Sequence, residues 1–279
     1  MKYFIVDAFT GKAFGGNPAG VVLLDGNTCP DEGLILKVAA ELRYSETAFV
    51  RQDGKNEFTL RYFTPKAEVE LCGHATIASF FLLNHMGVAS GRCLCHTLAG
   101  DLDIEASSQV MMQMAAPRIV ATLSDEDAEA VYRAVGTRPT GLRPQIVYAG
   151  LPDIMLPVES LAALNTLQPD MEAVTELTRR LEVVSIHAFV TCRDEYTAHV
   201  RDFAPLYGVP EESATGTANA ALTHYLHHQG LIADVGDYRF LQGEAMGRPS
   251  VVATRRSADG ILFVGGTAAI VASGDIVEK

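Results

Sequence analysis

Glu46 is the first candidate for acid/base chemistry, because the segment that most resembles its own lacks it. Ser45-Glu46-Thr47-Ala48-Phe49-Val50 recurs 140 residues later as Ser185-Ile186-His187-Ala188-Phe189-Val190, with an aliphatic side chain in the carboxylate's place. In this alternating stretch Glu46 shares a face with Ala48 and Val50. Burial there would lift its pKa toward neutrality, where a general base works best; at an exposed strand end it would simply be solvated. Cys72-Gly73-His74-Ala75 is the second place where residue types gather. His74 suits a proton donor or a substrate-orienting group, although histidines at helix starts also serve as caps or core groups. Cys72 lies where a helix N-terminus lowers a thiol pKa. Its counterpart 143 residues on is Thr215, so a racemase with one thiol on each face of a chiral carbon lacks its second cysteine.

Gly73 and Gly216 fall in the first turns of two expected helices, where unpaired backbone N–H groups point outward and glycine lets a ligand come close. A small carboxylate or another oxyanion held between such turns needs neither metal nor arginine; the same small residues also permit tight helix–strand packing. Glu212, just before the second helix, either binds a substrate amine or favours the helix dipole. Asn17 lies in Gly15-Gly16-Asn17-Pro18-Ala19-Gly20, a shaped turn leading into Val21-Val22-Leu23-Leu24, and is expected at the cleft. This turn has neither the Lys-Ser/Thr ending of a phosphate loop nor the spacing of a dinucleotide fingerprint. Cys93-Leu94-Cys95-His96 looks superficially like a metal cluster, but its cysteines share one strand face and no second pair completes a zinc set, so no metal is expected. His224, His227 and His228 read as a solvated helix face.

The elements that must position these groups come in two copies. Arg61-Tyr62-Phe63-Thr64-Pro65 recurs at offset 140 as Arg201-Asp202-Phe203-Ala204-Pro205, three extra residues then enter, and Cys72-Gly73-His74-Ala75 meets Thr215-Gly216-Thr217-Ala218 at offset 143. Each half reads as strands, one helix, then strands. Phe58–Phe63 and Gln109–Met114 have strand composition. Ala75–Met86 is apolar on nearly every side and must be buried, which predicts a sheet wrapped around it. Ala218–His228 reads as more amphipathic, and Leu123–Val135 as a solvent-facing helix with an acidic first turn. The expected division is 1–118, 119–264, and 265–279 as final strand or strands packing back on the first half.

The 279 residues carry 22 Lys+Arg against 34 Asp+Glu, a net charge of −12, and no basic run; nucleic acid is not expected as a partner. No apolar stretch approaches the roughly 20 residues that span a membrane, and Met1–Asp7 reads as a first strand rather than a signal segment. Five cysteines, Cys29, Cys72, Cys93, Cys95 and Cys192, make an odd number for a disulfide framework and fit a reducing cytoplasm.

At these residues the sequence resembles the phenazine-biosynthesis isomerase (PhzF-like) family, which shares the diaminopimelate epimerase fold. The matching stretches are Val6–Thr10, Gly16–Val21, Ser45–Phe49, Arg61–Pro65, Leu71–Thr76, Arg201–Ala218 and Gly265–Ala268. The resemblance implies an α+β fold of two pseudo-repeated halves, each a mostly antiparallel sheet around a central helix, with the active site between the halves. It also implies no cofactor, a small carboxylate substrate and commonly a homodimer. Glu46 then resembles the glutamate that moves a proton between carbons of an unsaturated cyclic amino acid, and Gly73 and His74 the substrate-binding, proton-relay pair. Where the family usually shows Glu-Asp-Pro-Ala-Thr-Gly-Ser, this chain has Glu211-Glu212-Ser213-Ala214-Thr215-Gly216-Thr217. Glu212 and Thr217 keep the functional groups but add a methylene and a methyl, changes worth about 1–3 kcal/mol in substrate discrimination.

Overall fold

The computed structural model describes residues 1–24, 26, 30–192 and 194–277. The chain divides into two compact units, Met1–Gln113 with Gly265–Lys279, and Met114–Val264.

In the first unit, β1 (Lys2–Ala8) and β2 (Asn17–Leu23) form an antiparallel pair. Helix α1 (Glu32–Leu42) crosses to β3 (Thr47–Gly54), which runs parallel to β2 and pairs antiparallel with β4 (Glu57–Phe63). After the short β5 (Glu68–Val69), helix α2 (Gly73–His85) crosses to β6 (Gly91–Thr97), parallel to β4. β7 (Gly100–Ala106) and β8 (Val110–Gln113) continue antiparallel. The sheet is thus mostly antiparallel, with parallel joins where a helix makes the crossover that parallel strands need.

Alternation along the strands explains why both sheet faces are apolar. On β4, the Tyr62 hydroxyl meets Thr76 Oγ1 of α2 at 2.7 Å, while the next residue, Phe63, packs with Phe49, Val22 and the Ile35, Val38 and Ala39 side of α1. Helix α1 was not foreseen. Asp31 caps its N-terminus by accepting from Gly33 N. Helix α2 is buried on nearly all sides, as its composition predicts, and contacts β1, β2, β3, β7 and β8.

The second unit runs β9 (Arg118–Thr122), α3 (Asp125–Val135), β10 (Gln145–Tyr148), β11 (Pro152–Pro157), α4 (Leu161–Asn165), α5 (Met171–Arg180), β12 (Ser185–Thr191), β13 (Ala198–Ala204) and β14 (Val209–Glu212). Then follow α6 (Gly216–His228), β15 (Gly236–Gln242), β16 (Ser250–Arg256) and β17 (Leu262–Gly266). The pairing repeats that of the first unit: β11 and β12 are parallel across a helical crossover, β12 and β13 antiparallel, and β13 and β15 parallel across α6. β18 (Ala268–Asp275) then pairs antiparallel with β1.

The two central helices have 13 residues each and start 143 positions apart. Outside them the copies share a bidentate pair: Arg61 grips Glu68 at 2.6 and 2.7 Å, and Arg201 grips Glu211 at 2.8 Å through both nitrogens. Between these partners the second copy holds the 3-10 turn Pro205–Tyr207, which absorbs its three extra residues.

Several expectations are corrected. Helix α6 buries the expected stripe of Ala218, Ala221, Leu222, Tyr225 and Leu226, but its other side is largely covered too. Asn219 and Thr223 are buried in it, with Asn219 Nδ2 donating to Gln242 and Thr223 bonded to Thr254; Asn219 Oδ1 and Nδ1 of the half-buried His224 have no partner among the described residues. Burial, then Arg256, holds the His224 ring below its ordinary pKa. Of the solvated histidine face only His228 is fully exposed, because His227 bonds Asp234 at 3.0 Å. Helix α3 exposes Asp125, Glu126, Glu129 and Arg133 and has the acidic first turn read from its sequence, while its other face, Val131, Tyr132, Ala134 and Val135, packs with α5, α4 and β12 in the second core. Cys93 and Cys95 do lie buried on one strand face. Cys72, Cys93, Cys95 and Cys192 are free thiols, and Cys29 lies outside the described residues. No described helix is long and apolar enough to cross a membrane.

Candidate active site

In the first unit Glu46 precedes β3, and its carbonyl accepts from Gly20 N at 3.2 Å. Only glycine fits at position 20: a Cβ there would lie 2.7 Å from Thr47 Oγ1. The Glu46 side chain is half-buried, and its Oε2 lies 3.4 Å from Nε2 of the buried His74. The His74 ring also lies against the Cys72 thiol, with Sγ 3.4 Å from Nδ1. Carboxylate, imidazole and thiol thus converge, one donor atom each, within 4.8 Å of one another.

Helix α2 places two of these groups. Cys72 is its N-cap residue but makes no side-chain capping bond, so the thiol stays directed at the imidazole. Thr76 N makes the first intrahelical bond, to Cys72 O, and the N–H groups of Gly73, His74 and Ala75 precede it. A Cβ added at Gly73 would meet nothing nearer than Met112 Cε at 3.9 Å, so a ligand has room to approach. Burial pushes the His74 imidazole below its ordinary pKa, and the Glu46 charge opposes this without reversing it. A neutral ring beside a carboxylate can take a proton at one nitrogen and release one at the other. Asn17 is buried at the start of β2, opposite Ala8 and three residues before Gly20. Gly16, with φ of +62°, makes the bend before it.

In the second unit Thr215 takes the place of Cys72. Its hydroxyl meets Asp202 Oδ2 at 2.9 Å and Glu212 Oε2 at 2.8 Å. Gln242 accepts from Thr215 N and donates to Glu212 O, and Asn219 donates to Thr215 O, so the turn into α6 is held from three directions. Gly216 opens the helix. The methyl by which Thr217 exceeds a serine lies over Gly150, 3.6 Å from where a Cβ would be.

Beneath this turn lies a buried polar network that sequence reasoning missed. Asp202 Oδ1 accepts from Ser185 at 2.7 Å and meets His187 Nδ1 at 3.0 Å, and Ser185 also lies 2.9 Å from Asp153. Burial raises the Asp153 carboxyl well above the usual carboxylate range, and the nearby Asp202 charge adds to this. The available signal was the run of polar residues at inward strand positions, Ser185, His187 and Asp202, where Asp202 replaces Tyr62 of the first copy.

Two groups of described residues offer mixed metal-binding donors: Glu46, Cys72 and His74, and separately Cys192, Asp194 and His199.

The family model for phenazine biosynthesis-like proteins (PhzC-PhzF) matches residues 6–274. The chain belongs to this family. An uncharacterized isomerase of Clostridium acetobutylicum is 33% identical over 265 residues, covering 88% of this chain and 87% of the relative. A PhzF-family phenazine biosynthesis protein of Bacillus anthracis shares the fold, with a TM-score of 0.86 at 24% identity over 100% of this chain and 99% of that one. A hydroxyproline epimerase from Agrobacterium vitis shares it more distantly, with a TM-score of 0.65 at 13% identity over 98% and 91% of the two chains. As a PhzC-PhzF member with relatives named isomerases, the protein is of the isomerase class, and its α+β architecture is the one PhzF proteins share with epimerases.

Proposed function

We propose that this PhzF-like isomerase moves a proton within a small amino or carboxylic acid, a class that includes cyclic unsaturated ones, with Glu46 as general acid/base. The observation that carries this reading is the 3.4 Å approach of Glu46 to a buried His74 at the open first turn of α2. Glu46 removes an acidic carbon-bound proton and returns it to another carbon, while His74 and Glu212 orient the substrate and relay protons. The N–H groups at Gly73 bind the substrate carboxylate or the developing enolate, where each preorganised donor contributes about 3–4 kcal/mol by analogy with oxyanion holes. Asn17, Gly216, Thr217 and Glu212 are assigned as further substrate contacts, and Thr215 as an accessory group. The reading requires no cofactor, since acid, base and anion-binding groups all come from the chain. It also takes the protein to be a cytoplasmic homodimer, which sedimentation at working concentration tests.

A second reading has a specific observation behind it: Cys72 Sγ lies 3.4 Å from His74 Nδ1, the spacing of a thiol and its base. In it Cys72 performs epimerisation or dehydration. Incubating candidate cyclic amino acids in deuterium oxide separates the two. Glu46→Gln should lower isomerisation and label exchange by about 10²–10⁴-fold, and Cys72→Ala should cost only a modest factor. Full exchange in Glu46→Gln would sink the glutamate role, and loss of turnover in Cys72→Ala alone would establish the thiol. Binding without exchange for every bound compound would leave a non-catalytic metabolite-binding protein.

A further inference from the structure

The turn joining β12 to β13 gathers a second set of reactive side chains that the isomerase reading does not use. Cys192, Asp194 and His199 each offer one donor atom, all within 4.8 Å of one another. The His199 side chain is 6% exposed and lies between two carboxylates, with Nε2 2.8 Å from Asp194 Oδ2 and Nδ1 2.7 Å from Glu244 Oε2. Glu244 arrives from the 3-10 turn after β15. The adjacent Glu195 pairs instead with Arg239 at 3.2 Å, which leaves Asp194 as the carboxylate facing the ring.

We propose that Cys192, Asp194 and His199 form a site for a zinc-type divalent cation, with Glu244 orienting the imidazole from behind. Thiolate, imidazole and carboxylate are the donors such a cation takes. Facing a carboxylate at each nitrogen, the metal-free ring donates to both as an imidazolium. A cation entering between Nε2 and Asp194 takes the place of the Nε2 proton: Nδ1–H still donates to Glu244, and the Nε2 lone pair faces the metal. Ligating histidines are typically held in this way by a carboxylate on the far nitrogen.

The geometry is within reach of binding. Donors in a tetrahedral zinc site lie roughly 3.5 Å apart. Asp194 must open slightly from Nε2, and Cys192 must rotate inward. Asp194 is 43% exposed and on a turn, so side-chain rotation and entry from solvent are both available. On binding, the Cys192 thiol and His199 Nε2 each give a proton to solvent as the thiolate–metal and imidazole–metal bonds form, with nothing oxidised or reduced.

Cobalt(II) titration of the full chain tests the site through thiolate-to-cobalt charge-transfer absorption, with zinc as competitor. The band should form, give way to zinc, disappear in Cys192→Ser and persist in Cys72→Ser. Glu244→Gln should keep the band but weaken cobalt binding about 10–100-fold. If Cys192→Ser folds poorly, Asp194→Asn, on an exposed side chain, should likewise weaken binding. Absence of any band, or a band unchanged in Cys192→Ser and lost in Cys72→Ser, overturns the assignment.

Discussion

Asp153 is completely buried, with one carboxylate oxygen bonded to Ser185 and the other without a partner among the described residues. Its folded pKa is raised, so it stabilises the fold relative to the unfolded chain only while protonated in both, at acid pH. That contribution is lost as pH rises from the ordinary carboxylate range toward the folded value, by roughly 1.4 kcal/mol per pH unit. Asp153→Asn keeps the shape and removes the titration. Thermal melts across pH should show the variant as stable as the parent or more so at neutral pH, without the parent's decline as pH rises above the ordinary carboxylate range. Parallel pH dependence in parent and variant would mean that the carboxylate ionises in the fold as readily as in the unfolded chain. Asp153 could not be found by local spacing. It meets Ser185 because β11 and β12 pair in that register, and His187 and Asp202 face each other across β12 and β13. Glu46, Cys72 and His74 were legible because a repeat exposed the first and a four-residue motif contained the others.

At the scale of elements, the repeated arginine pair serves two different degrees of burial. Arg61 joins β4 to β5 with a quarter of its side chain in solvent. Arg201 is nearly enclosed and, besides Glu211, donates to the carbonyls of Leu164 and Leu167 at 3.1 and 3.0 Å, tying β13 to the end of α4. Removing one partner of a buried pair costs about 3–5 kcal/mol, against about 1 kcal/mol or less at an exposed site. Arg201→Met should therefore lower the urea midpoint far more than Arg61→Met; equal losses would show that the extra carbonyl bonds contribute nothing. Helix α2 was readable because a helix apolar all round has one place to go. Helix α1 was not, because its apolar face meets Val22, Phe49 and Phe63 on the far side of strands whose near side already accounts for a core.

For the whole molecule, a net charge of −12 means that the general field repels the anionic substrate proposed above, so its attraction would have to be local, at amide-rich helix starts such as that of α2. The proposed substrate class rests on such starts; a methyl such as that of Thr217 over Gly150 alters local shape without leaving a mark in any motif. The return of β18 to β1 has a consequence for how the protein is made. The strand that completes the first unit's sheet is translated only after all of the second unit. On the ribosome, the second unit can therefore be finished while β1 still has one uncovered edge, a state open to pairing with other chains. Ribosome-bound chains stalled after residue 264 should show weak hydrogen-exchange protection in β1 and gain it once residues 268–275 emerge. Full protection of β1 in the stalled chain would contradict this order and give the first unit an earlier, independent birth.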